Sequence, residues 1–98
     1  MVTYKEYLFG LIEKEADCSG YRVVNVPFND NKGMVVVFSN TNVKLALVEI
    51  HYLFSGDCVE LSCNAIKASG SVFEMINGSE DIRFVSKAFN EARRCLYE

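Results

Sequence analysis

Between residues 43 and 66 the chain reads VKLALVEIHYLFSGDCVELSCNAI, and in its second half apolar and polar side chains alternate strictly. Val59, Leu61, Cys63 and Ala65 fall on one side, and Glu60, Ser62 and Asn64 on the other. A strand of that pattern has one buried and one wet face, so the chain needs a sheet that is covered on one side. Ser55-Gly56 immediately upstream supplies a two-residue loop, and residues 43–54 then form the other arm of a hairpin. In the register that loop sets, Tyr52 faces Val59, Ile50 faces Leu61, Val48 faces Cys63 and Ala46 faces Ala65. His51 opposes Glu60 and Glu49 opposes Ser62 on the other side. A slip of one residue would set Glu60 and Ser62 among apolar side chains, so the pattern favours this pairing. Residues 43–54 also fit helical spacing at Val43, Ala46, Leu47, Ile50 and Phe54, and pattern alone does not separate strand from helix there.

The hairpin needs cover, and the two ends of the chain supply it. Tyr4, Tyr7, Leu8, Leu11 and Ile12 make the stripe of an amphipathic helix that starts at Thr3, has Glu6 in the capping-box position, and closes at Gly20. Ile82, Val85, Phe89, Ala92 and Leu96 make a second stripe over residues 80–97, with Ser79 as its cap. Between the first helix and the hairpin, residues 21–28 and 34–38 read as two more strands, joined by a loop at residues 29–33 and followed by a break at Asn40-Thr41-Asn42. A turn at residues 68–71 and a short strand over 72–76 complete the order. The expectation is an α+β domain over residues 1–98: N-terminal helix, antiparallel five-stranded meander and C-terminal helix, in two layers with both helices on one sheet face. If residues 43–54 were helical, the order would be α-β-β-α-β-β-α.

Composition bears on function mainly by exclusion. A chain of 98 residues supports one core. A net charge of −3 disfavours direct binding to a nucleic-acid backbone, and no apolar run is long enough for a membrane span. Without a signal-type segment the expected location is the cytoplasm, where Cys18, Cys58, Cys63 and Cys95 read as reduced, buried structural thiols. Cys58 and Cys63 lie five apart in one strand and point to opposite faces, and no cysteine spacing suggests zinc. No metal or cofactor is expected.

No motif here names a reaction or a ligand. The uncovered sheet face would carry Leu45, Leu47, Glu49, His51, Leu53 and Glu60, a mixture of leucines and ionisable groups that reads as an interface with a second copy or another protein. Glu6, Glu13 and Asp17 share the outer side of the first helix, either as a solvated face or as an acidic patch for a basic, nucleic-acid-handling partner. The favoured reading is a non-catalytic interaction module, a small acidic inhibitor or adaptor, with homodimerisation as one form of it. The alternative is a small-ligand binder or a cysteine-dependent enzyme, with Cys58, His51 and Glu60 converging across the hairpin.

Overall fold

The computed structural model describes residues 2–40 and 42–97. The chain runs through α1 (Tyr4–Ser19), β1 (Tyr21–Pro27), β2 (Lys32–Ser39), β3 (Asn42–Ser55), β4 (Cys58–Cys63), β5 (Ile66–Ser71), α2 (Val72–Asn77) and α3 (Glu80–Tyr97). The strands form one antiparallel sheet in the order β1-β2-β3-β4-β5. Helix α1 packs over β1, and α3 packs over β3 and β5. The core lies between: Leu8, Ile12 and Ala16 from α1, Val35 and Val37 from β2, Val48, Ile50 and Tyr52 from β3, Val59, Leu61 and Cys63 from β4, and Phe84, Val85, Ala88, Phe89 and Ala92 from α3. Tyr21 stacks against Phe89 with ring centroids 6.2 Å apart, joining β1 to α3.

Helix α1 is closed at both ends by local chemistry. The Thr3 hydroxyl accepts the Glu6 amide at 3.2 Å, and Gly20 at φ 73° takes the left-handed conformation that returns its N–H to the last turn. Its C-terminus is tied to α3 by Arg93, which donates to Ser19 Oγ at 2.8 Å and lies 3.5 Å from Glu15 Oε1. At the other end the Tyr4 hydroxyl donates to Asp81 Oδ2 at 2.9 Å. Asp81 is fully buried, and its second oxygen accepts the Ile82 amide at 2.8 Å. Burial, and then Asp81, push the Tyr4 phenol well above its usual 10.0.

The strand reading of residues 43–54 holds, and the helical alternative is overturned. Several details differ. The β3–β4 loop is Gly56-Asp57, with Gly56 at φ 61°, so Phe54 faces Val59, Tyr52 faces Leu61, Leu53 faces Glu60 and His51 faces Ser62. Both registers keep every side chain on its expected face, and the glycine decides between them, because a two-residue loop places positive φ at its first position. Between Val37 and Phe38 the β2–β3 ladder shifts register, so that Val37 faces Val48 and Phe38 faces Ala46. Leu47 is the extra residue of this bulge. It turns inward and is buried, contrary to its expected outward place, while Ala46, expected inward, is exposed.

The fifth strand is Ile66–Ser71, and Val72–Asn77, expected as a strand, is a helix. Ser71 and Glu74 cap it reciprocally: the Ser71 hydroxyl accepts the Glu74 amide at 3.1 Å and Glu74 Oε1 accepts the Ser71 amide at 3.2 Å. Two helices therefore follow the sheet instead of one. Lys32 and Gly33 belong to β2, not to the preceding loop. Ser79 stands before α3 at φ 54°, and its carbonyl accepts the Arg83 amide. Ile82, expected in the buried stripe, is exposed, and Phe84 takes its place in the core. Of the four cysteines only Cys63 is buried; Cys18 and Cys58 are exposed because they sit on the outer faces of α1 and β4, and Cys95 is exposed in the last turn of α3. Thr41 in the expected break and the Leu96 side chain in the expected stripe lie outside the described residues.

Candidate functional site

With α1, α2 and α3 all attached on the inner side or at the ends, the opposite sheet face carries no second layer among the described residues. Alternation along each strand fixes what stands on it. Val35 and Val37 belong to the core, so Met34, Val36 and Phe38 point outward from β2. Their partners on β1 are Val26, Val24 and Arg22, and the Arg22 guanidinium lies over the Phe38 ring at 5.2 Å. On the other neighbour of β2, His51 stands beside Met34, Glu49 beside Val36 and Leu53 beside Lys32. Ser62, Glu60 and Cys58 continue the face on β4, with Lys67, Ser69 and Ser71 beyond them on β5.

The face is thus divided. The β1–β2 sector is apolar, with Val36 only 8% exposed although no element covers it among the described residues, since Val24, Met34, Phe38 and Glu49 crowd around it. The β3–β5 sector is polar and holds two open depressions on either side of His51 and Ser62. One, of about 410 Å3, is bordered by Lys32, Leu53, Glu60, Lys67 and Ser69; the other, of about 490 Å3, by Ala46, Glu49 and Asn64.

The expected cluster of thiol, imidazole and carboxylate is taken apart by the register. His51 faces Ser62, not Glu60, and Glu60 faces Leu53. Cys58 faces Ser55, four residues along β3 from His51, which at roughly 3.3 Å per residue is about 13 Å. The carboxylate nearest His51 is Glu49 of its own strand, with Nε2 and Oε2 3.3 Å apart and both side chains about half exposed. A pair so exposed contributes little to stability, and it activates no thiol. Among the described residues, no three His, Cys, Asp or Glu side chains are grouped to hold a metal ion.

The remaining expected positions are spread over the surface. Leu53 is half-buried on the outer face beside Glu60, and Leu45 is exposed but out of phase with Ala46, which faces the outward Phe38. Glu6, Glu13 and Asp17 are exposed along α1, and Glu13 borders a small cleft with Phe9 of α1 and Val23 and Asn25 of β1. The sequence reasoning overlooked the apolar sector of Val24, Val26, Met34, Val36 and Phe38. Its signal was present: residues 34–38 are apolar at every position, and a strand of that kind has hydrophobic side chains on both faces.

Compared with known families, curated proteins and solved structures, the chain gives no match. The reading of function rests on the surface itself.

Proposed function

We propose that this protein is a non-catalytic interaction module, an inhibitor or adaptor, whose working surface is the open sheet face. The observation that carries the reading is the β1–β2 sector: five neighbouring apolar side chains, Val24, Val26, Met34, Val36 and Phe38, on a sheet face that no helix covers among the described residues. Burying them against a partner would remove their surface from water at a gain of roughly 25 cal/mol per Å2. The partner is a second protein or a second copy of this chain. The acidic stripe Glu6, Glu13, Asp17 would be a separate contact, suited to a basic partner of the kind that handles nucleic acid. Cytoplasmic location belongs to the same proposal; no helix among the described residues is long and apolar enough to cross a membrane. A small-ligand reading has one supporting observation, the pair of depressions beside His51. For the cysteine-dependent enzyme the separation of Cys58 from His51 leaves no support.

The test compares three forms of the chain with matched thermal unfolding: wild type, Val24→Lys with Met34→Lys, and Glu6→Lys with Glu13→Lys and Asp17→Lys. Each is used for sedimentation over a wide concentration range and for capture of partners from lysate. Loss of self-association or of a captured protein in the sheet variant alone supports the reading. A partner retained equally by all three counts against it.

A further inference from the structure

The sheet has a step in it. Strand β3 is 14 residues long, but β4 is only 6 and pairs with the last part of β3, from His51↔Ser62 to Ser55↔Cys58. The chain then leaves β3, and Asn64, at φ 56°, turns it back into β5. The earlier part of β3 therefore has β2 on one side and, among the described residues, no strand on the other.

Which main-chain groups look into the gap follows from the ladder. Ser55 and Cys58 flank a two-residue loop, so they exchange both of their peptide hydrogen bonds. Residues in phase with Ser55, namely Leu53, His51 and Glu49, direct N–H and C=O to the β4 side. Phe54, out of phase, sends its N–H the other way, to the Asn31 carbonyl at 2.7 Å. Glu49 is the first of the series with no strand opposite: continuing the β4 register from His51↔Ser62 would bring Asn64 to it, and Asn64 is already in the turn. The space beside it is the depression of about 490 Å3 lined by Ala46, Leu47, Val48, Glu49, His51, Ser62 and Asn64. Ala46 and Glu49 are exposed, and Leu45 is 53% exposed. Main-chain donors and acceptors along a strand are strong, directional groups, and an open edge of this kind is a template for another strand.

We infer that this step receives an extended peptide segment, added as a strand beside residues 45–49 in line with β4. Its side-chain chemistry is set by the two faces it would join. On the outer face it meets Glu49, whose carboxylate favours a Lys or Arg neighbour. On the inner face it meets Val48 under α3, which favours β-branched apolar residues, while the place beside Ile50 is held by Cys63 of β4. The occupant is a chain in which apolar and basic residues alternate. The inference shares with the proposed function the premise that this protein binds another chain, but it uses a main-chain edge where that reading uses side chains of the β1–β2 sector.

The test is an NMR titration of the full chain with the blocked hexapeptide acetyl-Lys-Val-Lys-Val-Lys-Val-amide. Three companions are used: the same peptide N-methylated at its valines, the same N-methylated at its lysines, and the version with Glu for Lys. The expected result is amide shifts centred on residues 46–50 and slowed exchange of the Glu49 amide. One N-methylated form should bind about tenfold more weakly, or worse, because it loses the donors aimed at β3, while the other binds like the parent. Glu49→Lys, a change at an exposed side chain, should reverse the preference between the Lys and Glu peptides. Equal binding by both N-methylated forms, shifts confined to β1, β5 or the open face, or no binding at millimolar peptide overturns the inference. Shifts at the same amides that grow with protein concentration alone would assign the step to a second copy and overturn the peptide. None of these results touches the open-face reading, which stands or falls with its own variants.

Discussion

A methyl group at Gly33 has nowhere to go. A Cβ there would lie 2.5 Å from the Tyr52 hydroxyl and 2.8 Å from both the Pro27 Cα and the Val26 carbonyl oxygen. The hydroxyl cannot swing aside freely, because it donates to Asn25 Oδ1 at 3.0 Å. Gly33→Ala should therefore cost about 1–3 kcal/mol, through overpacking and loss of that bond. A urea midpoint equal to that of wild type would refute the account. Cys63 makes a second prediction at this scale. Burial, with smaller contributions from Glu91 and Cys95, pushes its thiol from 9.0 up to about 11. In the unfolded chain the thiol ionises at its ordinary value, while the folded chain holds the proton longer. Unfolding thus releases a proton between about pH 9 and 11, and stability falls as pH rises through that window, by roughly 2 kcal/mol at most. Comparing urea midpoints of wild type and Cys63→Ala at pH 8 and 10.5 isolates the effect: the wild type should lose more. The same burial should make Cys63 the slow thiol to iodoacetamide beside the exposed Cys18, Cys58 and Cys95.

Helix α2 depends more on its cap than on its length. Six residues make a marginal helix, and the reciprocal bonds between Ser71 and Glu74 satisfy two amides that would otherwise be orphaned. Ser71→Ala should cost about 1 kcal/mol, read from thermal unfolding, and Ser71→Asp should restore most of it. This element also marks the limit of what the residues disclosed in advance. Ser71-Val72-Phe73-Glu74 is a capping box in plain view, but with residues 68–71 read as a turn the apolar run over 72–76 passes for a strand, and the cap goes unseen. Helices α1 and α3 were legible because their stripes are long, and β4 because its alternation is strict. The bulge at Leu47 was not legible: an extra residue in one strand is invisible to a period of two until the partner strand is known. The site suffered most from a local choice. Moving the loop from Ser55-Gly56 to Gly56-Asp57 shifts the pairing by two, which preserves every face and so the fold, yet changes every cross-strand neighbour and separates His51 from Glu60 and Cys58.

At the scale of the molecule, the sheet is assembled from neighbours in sequence, and the two end helices bring distant parts of the chain together. Tyr4 reaches Asp81 over a separation of 77 residues, and Arg93 reaches Glu15 and Ser19 over 78 and 74. Strand pairings of this consecutive kind close short loops, so contact order within the sheet is low and the entropy lost in forming it is small. The long closures, which clasp the first helix to the last, gain most from forming after the meander exists. Such a clasp leaves its mark on the unfolding limb of a chevron, not on the folding limb. Arg93→Ala and Tyr4→Phe should each speed unfolding by about fivefold and leave the folding rate within about twofold of wild type, in stopped-flow experiments with urea. On that account the residues that join the two ends of the chain set how long each molecule stays folded, while the speed with which it folds is decided in the meander between them.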